Sequence, residues 1–564
     1  MGDVLEYLID GTSGLAPGGV EGTGIVAGVC AQGVVGKGYL LGKSSDLNGL
    51  LGPGPLTDRL RDLFATGGQN PIVIAVPVQG LPGGYIGPVT HVGTGPGAIV
   101  SGAAGENSDA VVEIVDAGAL GVSTYKLSTD GGTTFGSAQA TPANGQIAIA
   151  ATGATLVLAE GDHVSGDTYE FVVRTAIGPV TKIGSGPDIT VEGTVAAASQ
   201  INLVILTAGG RNKGTYMLSQ DGGDSYGTPR TIPVDGLISV GSTGTTITWP
   251  DSDAVLGDTY IFDLLAPVPS VSAVVAALEQ PLELYDVEFV HVVGESDSVD
   301  WAALGVLADE QWNKHRPTFI LCETRLTRDG EDLSDWAAAL VADRAGYSHR
   351  FVLTVAAHGE VSDTTGLRKV RSWGGLFAGR VLSIPVMRAP GRVRDGGISQ
   401  GQLPTGWNEA VQRVLEDVGF ITARHYAGLS SVYWGDARTL AEDTSDFRYL
   451  PVVRTVFKAV RKARIAALKS MYDEAGDPTL EGGASGLAFL QASIENALNT
   501  MKAAVPQELA DFVVEIPTGQ DIVNNGVAVE QTLIGIPIIR QIKLYSRYVY
   551  AGGAFDPRLE GGNA

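Results

Sequence analysis

The rhythm of apolar and polar positions changes three times along the chain. In residues 1–54 short apolar runs sit between glycines, and "GTGIVAGVCAQG" and "GKGYLLG" read as strands between glycine turns. From Leu56 to Gly68 the period lengthens. Leu56, Leu60, Leu63 and Phe64 fall on one face of a helix that Gly67 and Gly68 stop. Residues 71–78, "PIVIAVPV", are apolar on both faces, the pattern of a strand buried in a sheet. Beyond about residue 270 strands and helices alternate. "VSAVVAALEQ" is helical, "VEFVHVVG" and "TFILCET" are strands, and "SDWAAALVADRAG" is a helix that Ser334 and Asp335 are expected to cap. "RFVLTVAAHG" and "RVLSIPVM" read as strands, and "GWNEAVQRVLEDVG" as a helix closed by Gly419. That alternation predicts an α/β layer. A long helix over about 450–473, a second over 485–504 and β segments over 511–551 complete the pattern, with a flexible end.

Between these regions lies an internal repeat with a period of 91 residues. "IGPVTHVGTGP" from Ile86 returns as "IGPVTKIGSGP" from Ile177; "YKLSTDGGTTFG" from Tyr125 returns as "YMLSQDGGDSYG" from Tyr216; "GDTYEFVV" from Gly166 returns as "GDTYIFDL" from Gly257. Each unit has short alternating segments between Gly, Asp and Asn, which predicts two small all-β domains of sandwich type over 86–176 and 177–267. The whole chain is then an α+β multidomain protein.

Charge narrows the partners. The 62 acidic and 38 basic side chains leave a formal charge of -24, the wrong sign for a general nucleic-acid binder or for an anionic membrane surface. The N-terminus "MGDVLEYLID" carries acids where a signal peptide has Lys or Arg, and no 18-residue apolar run reads as a membrane span. These features predict folding in a reducing cytoplasm. Cys30 and Cys322 are far apart in sequence, form no CxxC pair, and are expected to be buried thiols.

Three stretches resemble the contractile tail sheath family. One is the helix ending Phe64-x-x-Gly67-Gly68 followed by the buried strand, residues 56–78. Another is the order of parts after the repeats: a helix, "YDVEFVHVVG", then alternating α/β. The last is "FRYLPVVRTVFKAVRKARIAAL", residues 447–468, followed by a second helix and a β-rich end. The resemblance covers about 1–80 and 270–564. It implies an N-terminal arm over 1–22, a discontinuous α/β core over 23–85 and 268–446, the two repeats inserted into it and facing outward, a C-terminal domain over 447–534, and a C-terminal strand and arm over 535–564. It further implies a non-enzymatic subunit of stacked six-fold rings around a tail tube, contracting to drive the tube through an envelope. The partners would be neighbouring copies, the tube protein, baseplate and tail terminator, with no nucleic acid and no membrane insertion. The place would be the virion tail, assembled in the host cytoplasm.

Two sets of residues are candidates for those contacts. Arg454, Lys458, Arg461, Lys462, Arg464 and Lys469 put six basic side chains in sixteen residues with no acid among them, most of them on one helical face. The sheath resemblance implies docking on an acidic tube surface; a solvated face or ion pairs within the subunit are the alternatives. In "GIPIIRQIKLYSRYVYA", residues 535–551, Pro537, Ile539, Ile542, Leu544 and Tyr548 are the expected inter-subunit strand, alternating with Arg540, Lys543 and Arg547.

Catalytic motifs are weak. Ser128–Phe135 and Ser219–Tyr226 resemble the Asp-box hairpins of sialidases, yet the Asp caps a tight turn and glycine supplies φ > 0, a structural task. "GKGYLLGKS" has five residues between Gly36 and Gly42 where a phosphate loop needs four. His358-Gly-Glu360 has the zinc-deaminase spacing without its cysteines, and His91, His163, His291, His315, His349 and His425 form no ligand cluster. No cofactor or metal is expected. The alternative to a sheath is another phage structural or surface protein, a capsid, baseplate or adhesin component carrying β-sandwich decorations.

Overall fold

The computed structural model describes residues 20–362, 366–475, 485–552 and 558. The expected N-terminal arm falls almost wholly outside the described residues. Strand β1 (Thr23–Gly28) is buried along its whole length and holds the centre of a six-stranded sheet. Strand β2 (Tyr39–Gly42) forms one edge, antiparallel to β3 (Ile72–Pro77), which follows helix α1 (Pro55–Thr66) and pairs parallel to β1. On the other side of β1 the partners come from far along the chain. After helix α2 (Val271–Leu284), β4 (Phe289–Glu295) pairs parallel with β1, in the register Ile25 to Val290. Helix α3 (Ser298–Asn313) leads to β5 (Phe319–Glu323), and helix α4 (Leu333–Arg344) to β6 (Val352–Val355), both parallel. Continuous apolar runs such as "FILC", Phe319 to Cys322, suit strands covered on both faces.

Three sequence expectations are corrected here. Helix α4 is capped by Asp332, whose carboxylate accepts from the backbone of Ser334 and Asp335, so the cap lies two residues before Ser334. "RVLSIPVM" is no strand: its first half is the end of helix α5 (Gly374–Ser383). Gly374–Gly379 are all buried, so this helix shows no polar face and its period is hidden. Cys322 is buried as expected, but Cys30 is only half-buried.

Helices α1 and α5 lie backbone to backbone. A Cβ on Gly375 would collide with Arg59 and Asp62 of α1, and one on Gly379 with the Thr66 hydroxyl and the Leu63 carbonyl. This proximity carries α1's charged residues into a fully buried cluster. Arg59 forks onto Glu323 (2.7 and 3.1 Å), His291 Nε2 lies 3.0 Å from the same carboxylate, and Arg371 forks onto Asp62 (2.9 and 2.6 Å). Burial alone would push the Glu323 carboxyl up; Arg59 and His291 outweigh it and hold it down to about 2.

The residues of the sequence repeat fold into two sandwiches, each with its own apolar cluster. In the first, a sheet ordered 139–140, 124–128, 108–116, 168–175, 84–86 faces a smaller one of 146–149, 154–158 and 98–102; the second repeats this arrangement. The same devices recur 91 residues apart. Asp167 accepts from the Thr94 and Gly95 amides, and Asp258 from those of Ser185 and Gly186. Tyr169 donates to the Pro96 carbonyl, and Tyr260 to that of Pro187. Asp130 and Asp221 each close their own turn, with the following two glycines at positive φ.

Helix α6 (Glu409–Asp417) precedes the C-terminal part. There helix α7 (Leu450–Leu468) packs on α8 (Ser485–Lys502) around Ala459, Ala463, Leu498 and Met501. Two strands, β7 (Asp511–Glu515) and β8 (Glu530–Ile534), form an antiparallel ribbon. The expected β segments after Ile534 are absent: residues 535–550 lie outside any helix or strand.

Two predictions follow from this packing. Gly379→Ala forces α5 off α1 and is expected to cost about 1–3 kcal/mol by chemical denaturation, as overpacking does. His358 is wedged edge-on between Trp336 and Trp407. Burial lowers its imidazole to about 4, against a partial opposing pull from the Ala356 carbonyl. The folded state therefore favours neutral His358. Its contribution is complete above pH 6.5 and is lost as the pH falls from 6.5 towards 4, by roughly 2 kcal/mol at pH 5. His358→Phe should lose less stability than the parent between pH 7.5 and 5; equal losses would show that another group titrates.

Candidate assembly surfaces

Helix α7 begins with Leu450 and Pro451, so proline's missing N–H falls where the first turn has no partner to give. Its apolar residues Leu450, Val453 and Phe457 enter the core around the six-stranded sheet, while Ala459, Ala463 and Ala466 face α8. Three of the six basic side chains follow the apolar residues inward. Arg454 is 2% exposed and forks onto Glu288 at 2.5 and 3.2 Å, with a third bond to the Ile384 carbonyl. Arg461 is buried and donates to Asp286 and to the Val287 and Pro317 carbonyls. Lys458 pairs with Glu508 at 2.8 Å. The six residues therefore do not form one outward face. Arg454 and Arg461 are corrected from surface candidates to internal clamps, and Lys458 is used within the chain.

The acids that answer them were missed in the sequence. Glu288 stands immediately before the buried start of β4 and Asp286 two residues earlier, and Pro317 lies two residues before β5. An acid abutting a buried strand is the signal that points to an internal cation, because a buried carboxylate needs one. The arginines of α7 thus plug the N-terminal edge of the parallel sheet. Lys462 is left half-buried, and Arg464 and Lys469 exposed. Around them lie exposed Ile465, Leu468, Met471 and Tyr472, so the free end of α7 is both basic and apolar.

The second candidate set behaves differently. From Gly535 to Gly552 no residue belongs to a strand. Pro537 has no amide to give a ladder. Ile539, Ile542, Leu544 and Tyr548 are 73–87% exposed, and Tyr545 and Tyr550 are similarly bare. Arg540 ties the segment to the body: it pairs with Asp436 at 2.7 Å, its guanidinium 3.5 Å from the centre of the Tyr449 ring. The alternation of Lys543 and Arg547 with apolar residues therefore has no buried face among the described residues. The ribbon from which it leaves is mostly exposed too.

The remaining motifs resolve as packing. His358 is buried between tryptophans, Gly36 to Ser44 runs through edge strand β2, and among the described residues no group of three His, Cys, Asp or Glu could hold a metal. No helix among the described residues is long and apolar enough to cross a membrane.

Breaking an internal clamp should be costly. Arg454→Ala strands Glu288 in the interior and is expected to destabilise by about 3–5 kcal/mol, whereas Arg464→Ala should stay within about 0.5 kcal/mol. Equal losses in denaturant titrations of the two variants would contradict the assignment of inward and outward charges.

A family model described as DUF2586, N-terminal domain, matches residues 1–438, and one described as DUF2586, C-terminal domain, matches residues 446–553. No curated protein matches the sequence. Among solved structures the chain is similar to a sheath tail protein of Desulfitobacterium hafniense, at 11% identity and a TM-score of 0.41 over 95% of this chain and all of that one. It is similar to a sheath tail protein of Listeria innocua, at 9% identity and a TM-score of 0.40 over 92% and 96%. A chain of the anti-feeding prophage baseplate matches at 20% identity and a TM-score of 0.37, over 52% of this chain and 76% of that one.

Proposed function

We propose that this chain, which belongs to the DUF2586 family, is a structural subunit of a contractile tail sheath, non-enzymatic and built to polymerise with copies of itself around a tail tube. The observation that carries the reading is the C-terminal segment 535–552. Large apolar side chains stand exposed on residues that belong to no helix or strand among the described residues. Such a segment is costly in a monomer and useful in a polymer, where it can add as a strand to the open ribbon of a neighbour. The order of parts in the sequence supports the same reading: helix and buried strand, repeats, α/β layer, basic helix, β ribbon.

In this proposal the parts take separate roles. The six-stranded sheet and the helices around it are the rigid body, with the two sandwiches inserted between β3 and α2 and carried outward. The terminal arms join subunits into stacked six-fold rings. Contraction changes how the rigid bodies pack while the strand pairing of the arms persists. Lys462, Arg464 and Lys469 are the part of the basic helix left for an acidic tube surface, and baseplate and terminator proteins would cap the two ends of the polymer. Exposed ion pairs contribute only ~0–1 kcal/mol each, so the tube contact is weak per subunit and strong by repetition.

The test is assembly. Full-length protein is expected to form hollow tubes in negative-stain images, and a chain ending at Ile534 to remain a folded monomer by sedimentation and circular dichroism. Tubes from the truncated chain would show that the arm is dispensable. A full-length chain that stays monomeric at every concentration would favour a surface or adhesin component instead.

A further inference from the structure

The joints of the two sandwiches differ from each other. Where the first passes into the second, at Thr175–Ile177, Asn107 clamps the passing chain: its Oδ1 accepts from the Thr175 amide at 2.8 Å and its Nδ2 donates to the Ile177 carbonyl at 2.8 Å. The Leu265 amide donates to the Ala176 carbonyl, so the second sandwich holds the same joint from its own side. The joint by which the second sandwich returns to the core lies 91 residues on, at Ala266–Val268. There Ala198 stands in the place of Asn107, and a methyl group can clamp nothing. Ala198 lines instead a cleft of about 440 Å³ between the sandwiches and the core.

Across that cleft the contacts are polar. Among the described residues no apolar cluster contains residues of both the core and a sandwich. The neck is a ribbon of two residue pairs, Gly80–Leu81 against Val268–Pro269. Around it Arg174 of the first sandwich pairs with core Asp329 at 2.9 Å, and the Asp329 amide donates to the Tyr85 hydroxyl at 3.3 Å. Core Arg328 lies over the Tyr85 ring at 4.2 Å, and core Arg368 faces Asp224 of the second sandwich at 3.7 Å. Asp329, Arg368 and Asp224 are each about half exposed, so water and salt reach them.

We infer that the two sandwiches form one rigid unit that swings on the Gly80–Leu81/Val268–Pro269 neck, and that the Arg174–Asp329–Tyr85–Arg328 group with Arg368–Asp224 is a salt-sensitive latch holding it against the core. The side-chain clamp of the stiff joint, Asn107, is missing from the loose one, where Ala198 takes its place. The inference concerns the single chain and does not depend on its assembling.

Spin labels at Thr133, on the first sandwich, and Glu310, on α3, in a Cys30→Ser background of the full chain would read the distance by pulsed electron resonance. Raising salt from ~0.05 to ~1 M should widen the distance distribution by roughly a factor of two, because the latch pairs are screened. Asp329→Ala should produce the wide distribution already at low salt. Ala198→Asn, which restores the clamp, should narrow it and remove its salt dependence. A second label pair at Thr133 and Ser242, both exposed and spanning only the sandwiches, should stay narrow throughout. A Thr133–Glu310 distribution that ignores salt and Asp329→Ala would overturn the latch. One that Ala198→Asn leaves unchanged would overturn the account of the loose joint.

Discussion

Glu288 ties the ends of the chain to its middle. Its carboxylate is 1% exposed and accepts from two nitrogens of Arg454 on α7 and from the amide of Gly22, just before β1. Its backbone joins the ladder as well, the amide donating to the Thr23 carbonyl and the carbonyl accepting from Phe319. A lone buried carboxylate is among the most expensive groups a protein can hold. Any arrangement that lifts α7 from the sheet leaves that charge unanswered. The entry of β1, the start of β4 and β5, and the C-terminal helix pair are therefore one mechanical body, and the cation run that looks like a binding face is largely the inside of that weld.

The opposite edge of the sheet shows a second solution to the same problem. There Arg59, Glu323, His291, Asp62 and Arg371 neutralise one another beneath the α1–α5 contact. The sheet is thus closed by charge at both ends of its strands, with an apolar centre between. The glycines of α5 make this possible, since only a helix without side chains on that face can press α1's charged residues down onto the strand ends.

Much of the fold was legible in the sequence because its signals are local. The doubly apolar runs of β1, β3, β4 and β5 could only be buried strands, and the gapless 91-residue register gave two domains of one kind. What was hidden was long-range. "RVLSIPVM" reads as a strand on composition, and only contact with α1 shows why "GGLFAG" starts a helix there. The six basic residues of α7 showed a real anomaly, but their partners lie 50 to 175 residues away, where helical spacing says nothing about which face meets an acid. The segment 535–552 stood out by its length, its place at the chain end and its alternation, yet whether it forms a strand was not readable: a strand and an irregular segment can share one sequence pattern, and the partner decides between them.

The central place of β1 has a consequence for how the chain is made. Its neighbour β4 is more than 250 residues further on, with both sandwiches in between. On the ribosome β1 and β3 emerge early but cannot complete their sheet until β4 and β5 follow. The sandwiches, each with its own core, can close in that interval. For that time the N-terminal segment presents open, apolar strand edges, a state prone to wrong pairing. The tight approach of the entering and leaving chains at Gly80 and Gly83 then brings the two distant pieces together at one point, which shortens the search β4 must make for β1. The sandwiches thus serve synthesis as a closed loop whose ends are already side by side.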